Sequence, residues 1–134
     1  MRLKAASWGV IAALFALPIH AQEQLTPDGF LDLATGRTLT FSSVISGGTV
    51  GIEQFIRRDL SVWADDSGRC AYGRIEVRGP LLCFIYEDAP DPDNCWIPFL
   101  DDGALLVLSQ RTTEVQRISE VADTPISCEG APIS

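Results

Sequence analysis

One histidine, His20, and one lysine, Lys4, occur in the 134 residues, both near the N-terminus. The first 21 residues read as a removable leader, so the working chain is expected to hold neither type. Without imidazole there is no ordinary general base near neutral pH, no Ser-His or Cys-His nucleophile pair and no histidine ligand for zinc or copper. Without lysine there is no Schiff base and no P-loop amine. The sequence also lacks a Cys-x-x-Cys pair, an internal repeat, a low-complexity tract, and any apolar run near the roughly 20 residues that span a bilayer. The expectation is a chain that is not an enzyme, with no catalytic residue, metal ligand or cofactor assigned.

Positive charge is scarce as well. Ten basic residues face 18 acidic ones for a net charge of −8, and every acid lies after residue 21. Loss of the leader removes Arg2 and Lys4 and takes the net to −10 over 113 residues. A surface of that sign repels phosphate backbones and anionic lipid, so nucleic acid is not an expected partner.

The leader itself is MRLKAASWGVIAALFALPIHA, residues 1–21. Arg2 and Lys4 form a basic start, Trp8 to Leu17 an apolar stretch, Pro18 a breaker, and Ala21 a small residue before the cut, which is the layout of a secretory signal peptide. Ile19 stands where a smaller residue is preferred. No cysteine follows the apolar stretch before Cys70, so no lipid-modified N-terminus is indicated. The expected product is a single domain, 22–134, in the periplasm or outside the cell, with no membrane span.

Export gives the cysteines an oxidant. Cys70, Cys83, Cys95 and Cys128 are separated by 12, 11 and 32 residues, and an even number in an exported chain is expected to form two disulfides. Three pairings are open. The preferred one joins Cys83 to Cys95 between neighbouring strands and leaves Cys70 to tie down the C-terminal segment through Cys128.

Along the chain, Thr26 as an N-cap, Pro27 at the first helical position, Asp28 in the first turn and Gly36 as a stop predict a short helix from about Pro27 to Thr35. Phe30, Leu31 and Ala34 share one face, so this helix is expected to plug or cap a sheet, although Gly29 weakens it. From Arg37 onward, β-branched and aromatic runs are broken by turn residues every eight to twelve positions. RTLTFS, TVGIEQFI, LSVWA, AYGRIEV, LLCFIYE, CWIPFL and ALLVLS read as seven strands, and Asp101, Asp102 and Gly103 give the strongest hairpin signal. Residues 113–122, TEVQRISEVA, fit helical spacing but suit a closing strand, and the strand is preferred. The fold expected is mainly β: an antiparallel meander of about seven or eight strands, forming a sandwich or a partly open, lipocalin-like barrel. A two-residue turn at Gly79 and Pro80 would set Val77 opposite Leu82, Ile75 opposite Phe84 and Gly73 opposite Tyr86 on the core face. Gly73 would then leave room for the Tyr86 ring to lie over the next strand.

Three features carry candidate chemistry. The loop EDAPDPDN, residues 87–94, gathers Glu87, Asp88, Asp91 and Asp93, but lacks the register of a calcium loop and reads as a solvated turn. Arg57 and Arg58 form a basic doublet expected to pair with the protein's own carboxylates. Trp63, Tyr72, Tyr86 and Trp96, with Phe99, cluster in the half of the chain that holds the cysteines. They are the candidate binding residues if they line one end of a barrel, and plain core is the simpler reading.

The run from Gly51 to Val107, with its W…G-x-C…CFxYE…CW arrangement, resembles small secreted proteins of alphaproteobacteria whose activity is uncharacterised. The likeness spans about residues 25–122. It implies export, a β-sheet domain and cysteines near aromatic strands, and carries over no site residue.

The favoured function is a non-enzymatic binding or accessory role in the cell envelope, with an unidentified protein or a small apolar ligand as partner. A lipocalin-like carrier would need a cavity between Trp63, Tyr86 and Trp96. A protein-binding module or inhibitor would need an exposed patch over a solid core. An acid-pair hydrolase would need two carboxylates about 5 to 9.5 Å apart across a concave site.

Overall fold

A computed structural model describes residues 12, 13, 15, 16 and 22–128. The expected leader, 1–21, lies outside the described residues apart from those four positions. The helix signals act as anticipated: α1 spans Pro27–Ala34, and the Thr26 side chain accepts a hydrogen bond from the Gly29 amide at 3.0 Å. Its Pro27, Phe30, Leu31 and Ala34 are buried.

A short strand, β1 (Gln22–Gln24), precedes α1. After it come β2 (Thr38–Ser43), β3 (Thr49–Arg57), β4 (Leu60–Ala64), β5 (Cys70–Arg78) and β6 (Leu81–Tyr86). β7 (Cys95–Asp101), β8 (Ala104–Ser109) and β9 (Val115–Ala122) complete the sheet. All pairings are antiparallel, each strand from β2 to β9 pairs with its sequence neighbours, and β9 returns to pair with β2. Of the sandwich and the partly open barrel that the pattern left open, the chain forms a barrel, and its eight strands close.

Within residues 113–122, β9 closes the ring as a strand over Val115–Ala122, with Phe41 opposite Ile118 and Thr38 opposite Ala122. The turn signals hold in detail. Asp102 and Gly103 take φ of +50° and +80°, the pair of left-handed residues that a tight hairpin of matching twist requires. In the β5–β6 hairpin, Gly73, Ile75 and Val77 lie opposite Tyr86, Phe84 and Leu82.

The β6–β7 seam is short. Leu82 pairs with Trp96 and Cys83 with Cys95, after which β1 takes over the β7 edge, Gln22 opposite Asp101 and Gln24 opposite Phe99. A disulfide joins Cys83 to Cys95 across this seam. The second bridge joins Cys70 to Cys128, so the preferred pairing is the one formed. It ends a C-terminal strap. Thr38 Oγ1 donates to the Thr124 carbonyl at 2.7 Å, the Ile126 amide donates to Gln54 Oε1 at 3.0 Å, and the chain then reaches Cys70. Val62 and Ala64 point out of the barrel on this path and are nonetheless buried.

Inside, α1 closes one end. Phe30 meets Phe55 edge-on with ring centroids 5.7 Å apart, and Leu39, Ile75, Leu82 and Phe84 continue the core. Arg58, in the β3–β4 turn, reaches Asp28 at 2.9 Å and Asp32 at 2.7 Å on α1, while Arg57 pairs with Asp59. The basic doublet thus meets the protein's own carboxylates, and its exposed pairs orient the plug more than they stabilise it.

Candidate functional site

Alternation along the strands decides what faces the interior. β3 turns Gly51, Glu53 and Phe55 inward, β4 turns Ser61 and Trp63 inward, and β6 turns Leu82, Phe84 and Tyr86 inward. Between the α1 plug and the opposite end of the barrel these side chains leave a cavity of about 190 Å³. Phe30 lies at its floor, and Phe41, Trp63, Phe84, Tyr86 and Trp96 supply aromatic walls. Val50, Leu82 and Val107 fill between them, and Asn94 and Gln116 add amides.

Two glycines make room for the rings. A Cβ at Gly51 would fall within the Trp63 indole, which lies across that strand and tilts against Phe41 at 5.9 Å. A Cβ at Gly73 would stand 2.8 Å from Tyr86 Cε1. With Gly73 bare, the Tyr86 ring crosses β5 and brings its hydroxyl to Glu53 on β3.

Glu53 is the chemical centre of the cavity. It is 2% exposed. Ser61 Oγ donates to its Oε1 at 2.5 Å, and the Tyr86 hydroxyl lies 3.0 and 2.8 Å from its two oxygens. Burial pushes the carboxyl up to about 7, against the opposing pull of the Ser61 and Tyr86 hydrogen bonds. The same burial, then the neighbouring Glu53 charge, pushes the Tyr86 phenol well above its ordinary value. No basic side chain pairs with Glu53 among the described residues.

The other polar groups at the wall bond their neighbours rather than Glu53. Asn94 Nδ2 donates to the Phe84 carbonyl at 3.0 Å while its Oδ1 accepts from Trp96 Nε1 at 3.0 Å, which fixes the indole. Gln116 Nε2 donates to Glu114 Oε1 at 2.7 Å.

Of the four aromatics singled out in the sequence, Trp63, Tyr86 and Trp96 come together here, packed against the core and bordering the cavity. Tyr72 does not. Gly73 takes the inward position on β5, so Tyr72 faces out, 38% exposed, in a separate pocket at the surface with Leu60, Arg74 and Pro90. Phe99 also lies outside the cavity lining. In the acidic loop, Asp91 is held by Arg111 and by the Asp93 amide, and no metal-ligand cluster occurs among the described residues.

Sequence reasoning passed over Glu53, Ser61, Phe41, Asn94 and Gln116. For Glu53 the signal was ambiguous, because in TVGIEQFI one face carries Gly51, Glu53 and Phe55 while the other carries Val50, Ile52 and Ile56. The Gly73–Tyr86 pairing was the usable clue, since a ring laid over β5 points a hydroxyl at the strands beyond.

That placement gives a first prediction. Gly73→Ala is expected to force the Tyr86 ring off Glu53 and destabilise the fold by about 1–3 kcal/mol in urea unfolding. Loss of the Tyr86 hydrogen bond raises the Glu53 carboxyl further, which carboxyl NMR reads directly; an unmoved Glu53 titration would show that Tyr86 does not depend on Gly73.

Fold and site define a closed, disulfide-bridged β-barrel with an aromatic-walled cavity and a buried carboxyl. Comparison of the chain with family models, curated proteins and solved structures found no match.

Proposed function

We propose that the protein is an exported, non-enzymatic carrier that holds a small apolar ligand inside its barrel, in the manner of lipocalin-like proteins. The observation that carries this reading is the cavity of about 190 Å³ between Trp63, Tyr86 and Trp96. A cavity of about 150 Å³ lined by apolar side chains takes up benzene, so this one suits a body somewhat larger than a single ring. The two disulfides support residence in an oxidising compartment, in keeping with the signal-like residues 1–21. Hydrolysis by an acid pair finds little support here, because Glu53 is the one carboxylate among the described residues lining the cavity.

Titration with toluene tests the reading. Saturable shifts of the Trp63 and Trp96 indole signals, together with a rise in melting temperature, are expected. If neither toluene nor a ring of the same size bearing a polar group moves an indole or the melting curve, the carrier reading is removed and binding at an outer surface is favoured.

A further inference from the structure

We infer that the cavity selects a small organic ammonium, a protonated amine carried on an aromatic or other apolar body, with the amine seated on Glu53. The inference rests on the carrier reading and names the ligand class.

A carboxylate offers about four acceptor positions, and here two hydroxyls, those of Ser61 and Tyr86, supply one hydrogen each. Two positions remain for a guest. The nearby donors bond other groups, Asn94 to Phe84, Trp96 to Asn94 and Gln116 to Glu114, rather than Glu53. The ionised carboxylate therefore stands at a largely apolar wall with no cation beside it among the described residues, an arrangement that favours any ligand bringing one.

Its surroundings suit the rest of such a ligand. Trp63, Tyr86 and Phe84 line the cavity, and aromatic rings attract a cation and pack against an aromatic body. The volume limits the guest to about eight non-hydrogen atoms when scaled from the benzene cavity. Benzylamine has that size, and benzyl alcohol and toluene share its ring but not its charge.

The experiment compares these three probes by calorimetry on the disulfide-bonded protein at pH 8.5. Benzylamine is expected to bind at least tenfold more tightly than either neutral probe, and Glu53→Gln is expected to abolish the preference. A wild-type pH series covers the case in which the variant does not fold. As the pH falls below 7, benzylamine affinity drops about tenfold per unit while toluene affinity stays level, because Glu53 takes up a proton. Among the described residues lining the cavity Tyr86 is the only other titratable group, and its raised phenol stays neutral throughout.

Equal binding of all three probes, a preference for toluene, or a preference that survives in Glu53→Gln would overturn the amine inference and leave the carrier reading standing. A pH-independent benzylamine affinity would overturn it equally. Failure of every probe to bind would overturn both.

Discussion

Replacing Cys70 and Cys128 together by serine is expected to lower the unfolding free energy by about 4 kcal/mol, as estimated for a closed loop of 58 residues. The bridge anchors the far end of a strap otherwise held by the Thr38–Thr124 and Gln54–Ile126 hydrogen bonds. Freed of it, the strap can lift from β3 and β4 and expose Val62 and Ala64. The corresponding estimate for Cys83–Cys95, with a separation of 12, is about 3 kcal/mol. Access separates the two bridges further. Cys83 and Cys95 are 0% and 3% exposed, whereas Cys70 and Cys128 are both partly exposed. A mild reductant should open Cys70–Cys128 first, since exchange requires a thiolate to reach the sulfur. Urea unfolding of the double variant and peptide mapping after timed reduction check both statements. An unchanged midpoint would mean that the strap stays docked without its covalent end.

Much of this arrangement is local enough to read from the chain. Asp102 and Gly103 specify a tight hairpin through their own backbone preferences, and Thr26 and Pro27 begin a helix whatever lies around them. The short turn at Gly79 and Pro80 sets the β5–β6 register, and the register sets which residues share a face, so Gly73 under Tyr86 was legible. Closure was not. The pairing of β2 with β9 joins segments far apart in sequence, and no local pattern decides whether a meander curls shut. β1 is three polar residues, Gln22–Gln24, with no strand signature of their own; they pair because β6 leaves the β7 edge free after two residue pairs. Glu53 and Tyr72 were missed for different reasons. Strand alternation places a side chain only when one face is clearly more apolar, which TVGIEQFI does not show; in AYGRIEV the face of Gly73, Ile75 and Val77 is the apolar one, so the register that set Gly73 under Tyr86 already turned Tyr72 outward.

Glu53→Gln is expected to stabilise the protein by up to about 3 kcal/mol at pH 8 and to change little at pH 4. The folded carboxyl lies at about 7, against an ordinary value of 4.5. Between these values the folded state holds a proton that the unfolded chain has released, so stability falls as pH rises. The contribution is complete below about 4.5 and is gone once pH has passed about 7, and the interval corresponds to about 3 kcal/mol. Surface carboxylates act in the opposite direction. Asp59 beside Arg57 and Glu76 between Arg78 and Arg74 lie below their usual range, so they weaken the fold only at lower pH. The wild-type optimum is therefore expected in mildly acid solution, and the variant should lose the decline on the alkaline side. Thermal melts from pH 4 to pH 9 on both proteins measure the difference, and parallel curves would show that Glu53 is ionised inside the barrel at no energetic disadvantage. The expected gain also bears on function. Glutamine can accept from Ser61 and Tyr86 with nearly the same shape, so the hydrogen bonds alone do not require an acid. A carboxyl that weakens the fold at neutral pH, at the wall of a cavity and with no basic partner among the described residues, is where stability and the proposed binding pull in different directions.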